Sequence, residues 1–193
     1  MIDNSLIIMD TLMEEGQSVQ RWFALRVKSR REKVVAAAAH QKGFEEFLPL
    51  YVSRQHWSDR WRTVASPLFP GYVFCRLDPE HRLPLLTIPG VLNFVEVGKI
   101  PVPIDDAEIA AIKLATRSQL RTEPCTFLEG GHRVRLETGP LAGLEGVLMP
   151  TYPPRQLVIA LTVLRRSISV EIEGHWVSSI ATSNGVIRHA VAK

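Results

Sequence analysis

Cysteine is scarce in this chain of 193 residues: there are two, Cys75 and Cys125. No Cys/His spacing repeats, which argues against a disulfide scaffold and against a zinc site. Both cysteines read as free thiols suited to a reducing cytoplasm. Histidine is present but dispersed. His40, His56, His81, His132, His175 and His189 belong to no nucleophile or metal-ligand motif. The expectation is therefore a protein that is not an enzyme and uses no metal or cofactor. No apolar run is long enough to span a bilayer. The first ten residues lack the basic start of a signal peptide, and Asp10, Glu14 and Glu15 follow their short apolar run. Residues 1–19 have no Lys or Arg at all, only the acids Asp3, Asp10, Glu14 and Glu15. They read as a loosely ordered acidic tail.

What is present is an ordinary globular composition, 46% apolar and 22% charged, enough for one or two small domains. The net charge of +3 is unevenly placed. Residues 20–118 hold fifteen Lys and Arg against ten Asp and Glu, whereas residues 129–177 hold five of each. The middle of the chain therefore either faces a polyanion or carries a solvated basic surface.

The pattern is richest at Ser66-Pro67-Leu68-Phe69-Pro70-Gly71-Tyr72-Val73-Phe74-Cys75-Arg76-Leu77. Pro70-Gly71 predicts a turn, and Tyr72 to Leu77 a short central strand bounded by Asp78-Pro79. Alternation sets Tyr72, Phe74 and Arg76 on one face and Val73, Cys75 and Leu77 on the other. The second face suits a helix-covered core. The aromatic face is either a second core surface or a partner site.

Before this stretch, Arg21 to Lys28 alternates as a strand, with Phe23, Leu25 and Val27 opposite Trp22, Arg26 and Lys28. Ser29-Arg30-Arg31-Glu32 has the spacing of a capping box, and predicts a helix from Lys33 to His40 that ends at Gly43. Arg30, Arg31 and Lys33 crowd its first turn, where the helix dipole disfavours cations and a phosphate would relieve them. Phe44 to Val52 reads as a strand broken near Pro49. Gln55 to Arg62 reads as a hairpin tip mixing cations with Trp57 and Trp61, a mixture able to stack on and neutralise nucleic acid. After the central strand come a short helix from Pro79 to Leu86, a strand from Val91 to Val97, and a second capping box, Asp105-Asp106-Ala107-Glu108, opening a helix with Ile109, Ile112 and Ala115 on one stripe. The order implies an α+β sandwich with a mainly antiparallel sheet. Residues 119–128 read as a linker. The remainder is β-rich with glycine turns, as in a small barrel. The predicted organisation is a tail at 1–19, a domain at 20–118, the linker at 119–128, a domain at 129–178 and a tail at 179–193.

Four motifs in order resemble the NusG-type transcription elongation factors, with an NGN domain followed by a KOW domain of SH3-like barrel form. They are Arg21-Trp22-Phe23; Leu68-Phe69-Pro70-Gly71-Tyr72-Val73-Phe74; Pro89-Gly90-Val91-Leu92-Asn93-Phe94-Val95; and Gly131-His132-Arg133-Val134-Arg135-Leu136 with Gly139, Pro140, Gly143 and Gly146. Pro67 to Pro70 and Leu77-Asp78-Pro79-Glu80 resemble the specialised RfaH/UpxY/LoaP-type antiterminator paralogues. The housekeeping NusG role is the alternative, and a ribosome-associated KOW protein that binds RNA is a third.

The resemblance implies that the NGN domain binds the β′ clamp helices of RNA polymerase and suppresses pausing or termination. It places Phe23, Phe69, Tyr72, Phe74 and Phe94 in one aromatic concavity. It also implies contact with non-template DNA, for which Arg30, Arg31, Lys33 and Arg82 are the candidates. The KOW tip Val163-Leu164-Arg165 matches the loop that meets a small-subunit ribosomal protein or Rho. The glycines at 139, 143 and 146, Pro140 and the β-rich segment Val158 to Val170 oppose a helical refolding of that domain. The resemblance further implies a cytoplasmic monomer with no membrane partner.

Overall fold

The computed structural model describes residues 20–57, 60–125, 132–149 and 155–179. The tails expected at 1–19 and beyond 179, and Gly131 of the KOW motif, lie outside the described residues. In chain order the elements are β1 (Arg21–Val27), α1 (Glu32–Gln41), β2 (Glu45–Phe47), β3 (Leu50–Trp57), β4 (Arg60–Pro67), β5 (Tyr72–Leu77), α2 (Leu83–Leu86), β6 (Val91–Phe94), β7 (Glu96–Val97), β8 (Ile100–Pro101), β9 (Pro103–Ile104), α3 (Asp106–Arg117), β10 (Thr122–Cys125), β11 (His132–Leu136), β12 (Glu145–Met149), β13 (Arg155–Leu161), β14 (Arg166–Ile172) and β15 (Val177–Ser179). The chain divides into two compact units. One comprises Met1–Leu48 with Gly71–Pro103, the other Pro49–Pro70 with Ile104–Lys193. Among the described residues no helix is long and apolar enough to cross a membrane.

The first unit is built on an antiparallel sheet with the path β2-β5-β1-β6. Alternation in β1 sends Phe23, Leu25 and Val27 to the face that α1 covers. There they meet Val35, Ala36 and Ala39 of the helix, Val73, Cys75 and Leu77 of β5, and Leu85, Ile88 and Phe94. The alanine run favours the helix and lets it approach the sheet closely. Each fully buried large side chain in this cluster contributes about 1.5–3 kcal/mol through removal of apolar surface from water.

The helix begins differently from its predicted cap. Arg31 is the N-cap, and no side chain caps the helix. Ser29 is not used, because Arg30 takes a left-handed conformation at φ 63° and the helix starts only at Glu32. Glu32 is buried, and its Oε1 accepts a 2.8 Å hydrogen bond from the Gly71 N–H. The Gly71 carbonyl accepts from the Val27 N–H at 2.9 Å. Both polar groups of Gly71 are thereby held just before β5 begins.

In the second unit β3 and β4 form a two-stranded ribbon, paired from Leu50↔Pro67 to Trp57↔Arg60. The Leu68 N–H closes its base on the Pro49 carbonyl at 2.9 Å. The predicted break near Pro49 is thus a change of sheet, and the strands extend further than the hairpin tip read from the sequence. Residues 58–59 lie outside the described residues.

The rest of this unit is a six-stranded antiparallel sheet, ordered β10-β14-β13-β12-β11-β15. No described residue in the 135–170 region is α-helical, which agrees with a β-type KOW domain. Gly139 sits at φ 82°, and a Cβ there would meet the Trp176 ring at 2.6 Å. A Cβ on Gly146 would meet the Val158 carbonyl at 2.7 Å. These contacts explain why two KOW-motif positions are glycine. The stretch read as a linker contributes β10, paired to β14 from Thr122↔Val170 to Cys125↔Ser167. Pro124 is tolerated because β10 is an edge strand. The helix α3, grouped with the N-terminal domain in the sequence reading, belongs to this second unit.

Replacing Glu32 by Ala leaves the Gly71 N–H without its acceptor. The expected cost is about 1–3 kcal/mol, read from urea unfolding, with Glu32→Gln recovering part of it by restoring an acceptor oxygen. Unchanged stability in Glu32→Ala would show that the bond is incidental.

Candidate functional site

The sheet of the first unit has a second face, away from α1. Register assigns it, since directly paired residues share a face. Trp22 pairs with Arg76, Ala24 with Phe74, and Arg26 with Tyr72. Phe47 pairs with Phe74 and Glu45 with Arg76, while Asn93 pairs with Arg26. The rings of Phe47 and Phe74 stand 6.2 Å apart and tilted by 34°, and Trp22 meets Phe47 edge-on at 6.4 Å. Phe74 and Trp22 are buried, whereas Tyr72, Phe47 and Arg76 are half-exposed and Arg26 is exposed. Arg76 Nη1 lies 3.7 Å from Glu45 Oε2. Both groups are partly solvated, so this pair adds little to stability. Asn93 Oδ1 is buried without a hydrogen-bond partner. The result is an aromatic floor rimmed by polar ends.

The five aromatics expected in one concavity are not together. Phe23 pairs with Cys75, so it lies on the helix-covered side. Phe94 joins it there, with ring centroids 6.2 Å apart in a T-shaped contact. These two residues are core. Tyr72 and Phe74 lie on the opposite face. Phe69 is buried and belongs to the second unit. Sequence reasoning missed Phe47, which takes the place beside Phe74. The signal available for it was the opposite charge of Glu45 and Arg76, which stand opposite each other in the β2–β5 register.

The nucleic-acid candidates sit at the surface of the first unit. Arg30, Arg31 and Lys33 are exposed at the start of α1. Arg82 is half-exposed, and its Nη1 donates to the Pro79 carbonyl at 3.2 Å. In the second unit Val163 and Leu164 are half-buried in a 3-10 turn, followed by exposed Arg165 at φ 48°. This turn is tied to α3. The N–H of Thr162 donates to the Glu108 carboxylate at 3.2 and 3.3 Å, and its Oγ1 donates to Glu108 Oε1 at 2.6 Å. Asp105 caps α3 through a bond from the Ala107 N–H at 2.8 Å, so only half of the predicted capping box forms. Glu108 is spent on Thr162 instead. Gly139, Pro140 and Gly143 lie in the exposed turn after β11, and Gly146 in β12.

Both thiols are shifted upward. Burial, with a smaller push from the Glu46 carboxylate, raises the Cys75 pKa from 9.0 to about 12. Burial alone raises Cys125 to about 11. A thiol is a nucleophile only as thiolate, so neither is a reactive group at neutral pH.

The helix-backed antiparallel sheet of the first unit and the six-stranded antiparallel sheet of the second agree with the mixed α/β fold expected of an NGN-plus-KOW protein. A family model described as "Transcription termination factor nusG" matches residues 20–113. The "Transcription termination/antitermination protein NusG" of Borreliella burgdorferi is 30% identical over 132 residues, covering 62% of this chain and 71% of its own. The protein of that name from Buchnera aphidicola is 32% identical over 177 residues, covering 83% and 96%. A solved structure described as "Domain interaction in Thermotoga maritima NusG" aligns with a TM-score of 0.53 at 21% identity, over 84% of this chain and 98% of that one. That likeness concerns the fold. The chain belongs to the NusG family of transcription termination/antitermination proteins.

Two outcomes follow from this geometry. Stability should fall as pH rises from about 9 towards about 12, because the unfolded chain loses the Cys75 proton first while the folded chain keeps it. Cys75→Ala reduces that slope in urea titrations at stepped pH, leaving the smaller share of Cys125, and an unchanged slope would contradict the assignment. Phe74→Asp places a carboxylate in a fully buried site. The expected loss is about 3 kcal/mol or more, seen as a collapsed thermal midpoint.

Proposed function

We propose that this chain acts in transcription elongation and antitermination by binding RNA polymerase through the sheet face of its first unit. The observation that carries the reading is the rimmed aromatic floor: Phe74 and Trp22 below, with Tyr72, Phe47, Arg76 and Arg26 reaching solvent. Family membership supports polymerase as the partner, and the resemblance supports the β′ clamp helices as the element bound. An apolar helix surface set on a rigid aromatic floor fits that chemistry, because well-packed central aromatics carry most of the energy of such interfaces. Bridging the polymerase clamp in this way disfavours its opening, which lowers pausing and termination.

The remaining assignments extend the same reading. Arg30, Arg31 and Lys33, with Arg82, supply cations for non-template DNA. The turn Val163-Leu164-Arg165 is the contact for a small-subunit ribosomal protein or Rho. The wording of Pro67 to Pro70 and of Leu77 to Glu80 favours a specialised, operon-specific role. Genome-wide occupancy confined to a few long operons fits that role, and occupancy on most genes assigns the housekeeping one.

Retention of the full chain on core RNA polymerase tests the interface. Tyr72→Ala is expected to weaken binding by about 2 kcal/mol, roughly 30-fold, with little change in thermal midpoint because the ring is half-exposed. Wild-type retention of a folded Tyr72→Ala chain would remove this face from the interaction.

A further inference from the structure

The ribbon formed by β3 and β4 is not used by the polymerase reading. Its residues 50–67 contain Arg54, Arg60 and Arg62 against a single acid, Asp59. The register divides β4 between two faces. Trp61, Thr63 and Ala65 share one face with Val52, through the pairs His56↔Trp61, Arg54↔Thr63 and Val52↔Ala65. Arg60 and Arg62 stand on the other, where Arg62 pairs with Gln55 and Arg60 with Trp57. Trp61 is 68% exposed and Val52 69% exposed, and Arg60 and Arg62 are exposed as well. A tryptophan this open on a β-ribbon supplies nothing to a core. Among the described residues β3 and β4 pair only with each other, and no described strand adds to the outer edge of β4.

We propose that this ribbon binds single-stranded RNA. Residues alternate between faces along β4, so Arg60, Trp61 and Arg62 flank its open edge in the order cation, ring, cation. A polynucleotide lying along that edge can set phosphates against the two guanidiniums and turn a base over the Trp61 ring. Stacking on an aromatic face requires an unpaired base, which a duplex does not offer, and it tolerates any base because each has a π-face. The net positive charge of the ribbon complements the phosphate backbone. The choice of RNA over single-stranded DNA rests on the transcription reading above, since the non-template strand is unpaired only within the bubble, whereas the transcript leaves it as a single strand. Its residues are not those proposed for non-template DNA at the start of α1.

Fluorescence anisotropy of the full chain with a labelled, unstructured RNA of about 20 nucleotides tests the proposal. No polymerase is present, so failure here leaves the sheet-face reading untouched, and failure of polymerase retention leaves this one untouched. Trp61→Ala is expected to weaken binding about tenfold, whereas Trp61→Phe, which keeps a stacking ring, stays within about threefold of wild type. Arg60→Glu with Arg62→Glu should weaken binding and flatten the salt dependence between about 50 and 200 mM, reducing the log–log slope by about 1.4. Circular dichroism on each variant confirms folding. No binding of RNA by the wild-type chain overturns the proposal, and so does wild-type affinity in folded Trp61→Ala. Tighter binding of single-stranded DNA or of a duplex of the same sequence overturns the assignment to RNA.

Discussion

The register of β5 depends on Gly71. Its N–H is held by the buried Glu32 carboxylate and its carbonyl by the Val27 N–H, so the strand enters the sheet at one fixed position. A slip of one residue would exchange the faces of β5. Val73, Cys75 and Leu77 would leave the core shared with α1, and Tyr72, Phe74 and Arg76 would be driven into it. The first unit can present the proposed binding face only because this exchange is blocked. Glu32 also joins the start of α1 to the start of β5, two points 39 residues apart in sequence, so helix and strand are positioned by one bond.

The same bond explains a limit of local reading. Two glutamates stand where a capping box places them, at Glu32 and Glu108, and the helices they announce do begin there. Neither carboxylate caps its own helix. Glu32 goes to Gly71 and Glu108 to Thr162. A helix start is legible because it depends on neighbours in sequence. The destination of a carboxylate depends on what the fold brings within reach, which no local spacing encodes. A long-range bond that also removes a buried or tethering donor is worth more than a terminal cap already served by water.

The aromatic residues show where alternation suffices and where it fails. Within β5 it correctly separated Phe74 from Cys75, and within β1 Phe23 from Trp22. It cannot say which face of one strand is continuous with which face of the next. That is fixed by pairing, and Phe23↔Cys75 puts Phe23 with the core while Ala24↔Phe74 opens the other side. Grouping five aromatics by family position ignored that phase. The edge strand β10 was missed for a related reason. Thr122 to Cys125 has no alternation of its own and contains a proline, and it becomes a strand only because β14 offers an open edge.

A protein that must stay soluble while free and bind tightly when docked faces opposing demands at its interface. Exposed rings favour association but also favour aggregation. On the face away from α1 the demands are divided by depth. Phe74 and Trp22 lie beneath the surface and are fixed by Phe47, so no rotamer freedom is lost from them on binding. Tyr72, Arg76, Arg26 and Asn93 carry polar groups at or near the surface and keep the free face wet. Asn93 Oδ1, buried without a hydrogen-bond partner, is a polar cost in that arrangement. The floor of the proposed face is organised in advance by the fold, and the fold organises it through the register that Gly71 holds.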